Sequence, residues 1–147
     1  MKTLFAPYRL EKDEETGMPV LSALATDGAV LAVVSEPTLE GSEAELVSLV
    51  MAVLDSQAQD GKDPFPDLLE APPKKGGFVA FLPSQLLTVH LKLARAQAKL
   101  RQADMADRLG ITQQAYAKLE CPGANPTLHT LIQLERVLGR ELVAWAR

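Results

Sequence analysis

The stretch Gln102-Ala103-Asp104-Met105-Ala106-Asp107-Arg108-Leu109-Gly110-Ile111-Thr112-Gln113-Gln114-Ala115-Tyr116-Ala117-Lys118-Leu119-Glu120 decides how the C-terminal half of this chain folds. Two short helices that cross steeply need a small residue where they touch, and Ala106 sits midway along the first. The chain must then reverse through a residue with positive φ, where glycine has no Cβ to clash, and Gly110 stands there. Ile111 is expected to plug the corner, and Thr112 to cap the second helix by accepting an amide hydrogen bond. Leu109, Tyr116 and Leu119 are spaced to fill a shared core, which leaves Gln113, Gln114, Ala117 and Lys118 on the outward face.

Helical patterning extends to both sides of this stretch. A preceding helix is expected from about Ser84 to Leu100, with Leu86, Leu87, His90, Leu91, Ala94 and Ala98 on or beside one face. Ala98-Lys99-Leu100-Arg101 offers no helix breaker before Gln102. Beyond it, Cys121-Pro122-Gly123-Ala124-Asn125-Pro126 reads as a loop. Thr127 then opens a helix in which Leu128, Leu131, Ile132, Glu135 and Leu138 keep helical spacing until Gly139. Glu141-Leu142-Val143-Ala144-Trp145-Ala146 alternates enough to form a short strand. A lone strand is unstable, so it is expected to pair with its copy in a second subunit.

The N-terminal half reads differently. Leu4 to Leu10, Val20 to Ala25 and Ala29 to Val34 are strand candidates, the last two joined through Thr26-Asp27-Gly28, a hairpin signature. Ser42-Glu43-Ala44-Glu45 has capping-box spacing, with Ser42 expected to accept from the amide of Glu45. Leu46, Leu49, Val50, Val53 and Leu54 then mark an amphipathic helix ending near Gln57. Prolines 64, 66, 72 and 73, with Gly61, Gly76 and Gly77, leave residues 61–77 as an extended or turn-rich connector. Phe78 to Leu82 is a strand expected to return to the N-terminal sheet. The fold class is therefore α+β. A small antiparallel sheet with one helix occupies residues 1–82, and an all-α helix-turn-helix domain ending in a short strand occupies residues 83–147.

Composition bounds the function classes. The chain has 147 residues, 47% hydrophobic and 23% charged, a globular balance. No apolar run approaches the ~20 residues that span a bilayer, and the start has no uninterrupted signal-peptide segment, so a cytoplasmic location is expected. A single cysteine, Cys121, excludes an internal disulfide. The net charge of −4 conceals a division. Residues 1–83 hold six Lys/Arg and fourteen Asp/Glu, a net of −8, whereas residues 84–147 hold nine and five, a net of +4. That polarity suits a basic half facing phosphates and an acidic half facing a basic protein.

Catalysis is not expected. Asp13, Glu14, Glu15 and Asp27 fall in hydrophilic turns, whereas two-metal chemistry needs carboxylates converging on ions roughly 4 Å apart. His90 and His129 lie far apart on separate helices, Cys121 has no local basic partner, and no glycine-rich phosphate loop occurs. No catalytic residue, metal site or cofactor is assigned.

The order of residues from Gln102 to Glu120 resembles the helix-turn-helix of the Cro/phage-repressor (Xre-like) superfamily, which places its second helix in the DNA major groove. The resemblance implies that Gln113 and Gln114 open the recognition helix. A glutamine amide offers the donor and acceptor needed to read adenine N7 and N6. It further implies that Lys118 reaches phosphate or a guanine edge, that Gln102 contacts phosphate, and that Thr112 and Ala117 lie in the interface.

As a whole the chain resembles HicB-type antitoxins. The best-matching stretch is about residues 79–143: Val79-Ala80-Phe81-Leu82-Pro83, Leu91-Lys92-Leu93, the helix-turn-helix, and Leu131 to Val143. The N-terminal half departs from that family's pattern at Ala25-Thr26-Asp27-Gly28, at Pro37-Thr38-Leu39 and at Glu40-Gly41-Ser42. The resemblance implies a partly formed ribonuclease-H-like N-terminal domain that covers a small basic ribonuclease toxin of the HicA type. It also implies a homodimer or higher homo-oligomer that represses its own operon on double-stranded operator DNA. The alternative is a stand-alone repressor whose N-terminal domain dimerises or senses a ligand.

Overall fold

The computed structural model describes residues 2–143. They form two compact units, one of Lys2–Ser56 with Pro64–Leu82, the other of Gln57–Asp63 with residues 83–143. Element order is β1 (Leu4–Lys12), β2 (Pro19–Leu24), β3 (Val30–Ser35), α1 (Leu39–Gln59), β4 (Gly77–Phe81), α2 (Pro83–Gln97), α3 (Gln102–Leu109), α4 (Gln113–Leu119) and α5 (Leu128–Leu138). The fold is α+β, with an antiparallel sheet interrupted by α1 before its last strand and then four helices, as the sequence pattern implies.

In the N-terminal unit the four strands run β3-β2-β1-β4, all neighbours antiparallel. The last strand does return, pairing Ala6 with Val79 and Leu4 with Phe81. Alternation along the strands sends Ala6, Leu21, Ala23, Val34, Val79 and Phe81 to one face, where all are buried. Helix α1 supplies the opposing stripe, Leu46, Val50 and Leu54, each fully buried. Tyr8 on this face donates from Oη to Glu43 Oε1 at 3.0 Å, tying β1 to α1. The hydroxyl end of its ring sits over Gly77, where a Cβ would stand 2.2 Å from Cζ, so any other residue there would displace Tyr8.

One expectation here needs correction. The α1 start is not a capping box at Ser42, because Thr38 already caps the helix a turn earlier, accepting from the Gly41 amide at 3.0 Å. Ser42 is thus inside the helix, fully buried, and its hydroxyl serves the Glu36 amide at 3.0 Å instead. The connector contains one short 3-10 turn, Phe65–Asp67, entered through Pro64 and Pro66, where proline's preset φ suits a first helical turn. Leu69 then pairs with Phe5 through reciprocal backbone bonds of 2.9 and 2.8 Å.

The C-terminal unit packs around Leu91, Ala94, Met105, Ala106, Tyr116, Leu134 and Leu142, with Leu87, Leu100, Leu109, Leu119, Val137 and Leu138 against them. Helix α2 ends at Gln97, earlier than the expected Leu100. The breaker is Lys99, which adopts φ 57°. Its amide donates to Ala96 O at 3.0 Å and that of Leu100 to Arg95 O at 3.1 Å, the paired bonds of a Schellman ending built on lysine instead of glycine. Asp104 then reaches back to the Arg101 amide at 2.8 Å and starts α3. The terminal strand expected over residues 141–146 extends beyond the described residues. Glu141, Leu142 and Val143 are not in a strand, and the amides of Leu142 and Val143 donate to Glu135 Oε1 at 2.9 and 3.1 Å.

Candidate nucleic-acid interface

Helix α3 carries Met105 and Ala106 into the core, and the small Ala106 lets its neighbour approach closely. Gly110 terminates it at φ 68°, and the Ile111 amide closes back onto Ala106 O at 3.0 Å. Thr112 caps α4, its hydroxyl accepting from the Ala115 amide at 3.1 Å. Tyr116 is fully buried, and Leu109 and Leu119 pack beside it. The side chain of Ile111 does not plug the corner: it is 40% exposed. The reversal is already held by backbone bonds and by Tyr116, so Ile111 contributes its amide and leaves an apolar side chain at the helix entrance.

Of the residues assigned to the outward face, Gln113, Gln114 and Lys118 are exposed and Ala117 is half-buried. Thr112 is exposed, with its hydroxyl engaged as the cap. Gln102, the first residue of α3, is half-buried, and its Nε2 donates to Glu120 Oε2 at 2.9 Å. Gln113, Gln114 and Lys118 are therefore all exposed along α4, while Gln102 is partly committed to the protein interior.

That commitment belongs to a cluster the sequence reading missed. Glu120, at the C-terminal cap of α4, is 3% exposed. Arg95 of α2 forks onto it, Nε to Oε1 and Nη2 to Oε2 at 3.0 Å, and Tyr116 Oη donates to Oε1 at 2.6 Å. With Gln102, four donors from three helices converge on one carboxylate. Burial alone would raise the pKa of Glu120, but these bonds outweigh it and hold the carboxyl below the usual range. The Arg95 guanidinium is held charged by the same bonds, and the Tyr116 hydroxyl is pushed up by burial and by the carboxylate. Arg95 also donates from Nη1 to Leu100 O at 3.0 Å, so it braces the break between α2 and α3 as well. The sequence signal was the Tyr116/Glu120 pair at i,i+4; nothing local points to Arg95.

His90 is half-buried on α2, its pKa drawn down to about 4 by burial and by Arg140, against an opposing pull from Asp63. His129 and Cys121 are exposed, and Cys121 lies in the loop after α4. Among the described residues no group of His, Cys, Asp or Glu is arranged to hold a metal ion, and no helix is long and apolar enough to cross a membrane.

Residues 91–145 match the helix-turn-helix family, a segment that begins within α2 and includes α3, α4 and α5. Two proteins of Bacillus subtilis (strain 168) are similar over this region. One, an uncharacterized HTH-type transcriptional regulator YqaE, is 42% identical over 53 residues, 36% of this chain and 46% of its own. The other, an SPbeta prophage-derived uncharacterized HTH-type transcriptional regulator YonR, is 47% identical over 49 residues, 33% of this chain and 45% of its own. The chain thus spans about half the length of the curated relatives it matches. Within the C-terminal unit, residues 91–145 are thus similar to a helix-turn-helix domain.

Proposed function

We propose that the chain is a transcriptional repressor that reads operator DNA with α4, and that it acts as the antitoxin of a HicA-type toxin. The observation that carries the DNA-binding half is the exposure of Gln113, Gln114 and Lys118 on a helix whose other side is anchored by buried Tyr116 and Glu120. On this reading Gln113 and Gln114 address adenine edges in the major groove, and Lys118 meets a phosphate or guanine. Gln102 offers its remaining amide hydrogen to a phosphate, and Thr112 and Ala117 line the groove. The protein binds as a dimer whose recognition helices lie ~34 Å apart on a palindrome. No catalytic chemistry and no cofactor enter this reading, and the cytoplasm is the compartment where it operates.

The test is an operator selected from a random duplex library, titrated with the wild-type chain and with Gln113→Ala, Gln114→Ala and Lys118→Ala. Each glutamine substitution is expected to weaken specific binding by about 1–3 kcal/mol. Unchanged affinity in the triple variant would reject α4 as the reading helix.

The antitoxin half is supported by the charge of the N-terminal unit, where five Lys/Arg face twelve Asp/Glu, a net of −7. Such a unit suits masking a basic RNA-binding surface. A stand-alone repressor is favoured instead by the names of the two relatives, which mention transcriptional regulation alone. Co-expression of the chain with a small basic product of a neighbouring reading frame, followed by purification on one partner, separates the two.

A further inference from the structure

The sheet of the N-terminal unit has a second face. The register pairs Val30 with Leu24 and Pro7 with Phe78, and Pro7 and Leu24 each lie next to the Tyr8–Ala23 pair, so the four make an apolar row from edge to edge. Next to it stand Val33, Ser22 and Arg9, then Ser35, Val20 and Glu11. On this face Val30 is 52%, Val33 53% and Phe78 39% exposed, while Leu24 and Pro7 between them are half-buried and Ser22 is buried. Phe78 stacks edge-on against Phe5 at 5.6 Å, which fixes its ring as part of the surface. The acids lie at the ends of the same strands. Glu11 is on this face, with its side chain 63% exposed even while paired to Arg9 at 3.1 Å. Asp13, Glu14 and Glu15 follow in the β1–β2 turn, and Asp27 sits in the β2–β3 turn.

An apolar row whose two ends, Val30 and Phe78, are exposed marks an interaction surface. A net charge of −7 on the unit that bears it selects among occupants. DNA is repelled. A second copy would bring an equal negative charge against it. We infer that this open sheet face docks a basic protein, which seats apolar side chains on the Val30-Leu24-Pro7-Phe78 row and sets Lys or Arg against the acidic strand ends. The inference rests on reading the N-terminal unit as the partner-binding half, and it specifies which of that unit's surfaces is used. Apolar contacts supply the buried anchor, and the acids accelerate encounter and exclude acidic competitors.

The test uses the full chain and two labelled 12-residue probes, one alternating lysine and valine, the other alternating lysine and serine. They carry the same charge, so only the apolar contribution differs. The valine probe is expected to bind the wild-type chain at least tenfold more tightly than the serine probe. Val33→Gln with Phe78→Gln should abolish that preference without altering charge. Val30→Gln with Val33→Gln is the second variant, leaving the Phe5–Phe78 contact intact, and helicity by circular dichroism verifies both folds. Equal affinities for the two probes, or a preference that survives both variants, would overturn the inference. So would a wild-type dimer by light scattering that both variants turn into monomers, because a second copy would then cover this face. A basic protein that co-purifies equally with wild type and variants would sink this surface while leaving the antitoxin reading intact.

Discussion

Glu120 concentrates the energetic risk of the C-terminal unit in one side chain. A buried carboxylate is tolerated only when its lone pairs are filled, and here Arg95, Tyr116 and Gln102 fill them. Glu120→Ala leaves a buried guanidinium uncompensated, and the expected loss is about 3–5 kcal/mol in urea unfolding followed by circular dichroism. A loss under 1 kcal/mol would show that water replaces the carboxylate. Because its folded pKa is depressed, Glu120 stabilises the fold above the unfolded carboxylate pKa, and that contribution fades as pH falls below it. His90 adds an earlier acid sensitivity. Its folded pKa near 4 lies below the ordinary 6.5, so stability is complete above pH 6.5 and is lost as pH drops toward 4. By pH 5 the loss is expected to reach about 1–2 kcal/mol. His90→Gln should flatten the stability profile between pH 6.5 and 5; an unchanged slope there would assign the effect to other groups.

At the scale of elements, the break between α2 and α3 rests on an unusual residue. Lysine at φ 57° carries the steric cost of a Cβ in left-handed backbone, roughly 1 kcal/mol, which glycine would avoid. Lys99→Gly should therefore raise stability by about 0.5–1 kcal/mol, read from the denaturation midpoint at unchanged m-value. A decrease would mean that the lysine side chain contributes more than its backbone costs. The ends of α4 and α5 are conventional by comparison. Thr112 and Thr127 cap them through their hydroxyls, and Gly139 closes α5 at φ 68°. Those signals were readable because a cap acts within four residues of chain. The α1 start misled for the same reason: Thr38 and Ser42 both offer a hydroxyl at a plausible distance from an amide. Which one caps depends on where Glu36 is held as the chain leaves β3.

Across the whole molecule the charge division sets what each unit can meet. Binding of DNA by the C-terminal unit should weaken steeply with salt, since each phosphate neutralised releases counterions. A plot of log affinity against log salt is expected to fall with a slope of about −0.9 per phosphate contact, and Lys118→Ala should reduce that slope by about 1. A slope near zero would remove phosphate contacts from the proposed interface. The apolar row on the open sheet face makes the opposite demand, a partner that brings positive charge and side chains to bury.

The chain order alone determined the periodic and short-range features. The helix-turn-helix from Gln102 to Glu120, its small contact at Ala106, its reversal at Gly110 and the exposure of Gln113, Gln114 and Lys118 all follow from residues within a few positions of one another. The sheet's alternation was legible for the same reason, whereas the return of β4 to β1, pairing Leu4 with Phe81, followed from the order of the elements. Tertiary structure decided what required distant partners: Arg95 meeting Glu120 across 25 positions, Tyr8 lying over Gly77, and Ile111 staying outside the core. It also decided which sheet face α1 covers, because period-two patterning divides a strand into two faces but cannot tell which one a helix will shield when both carry apolar residues.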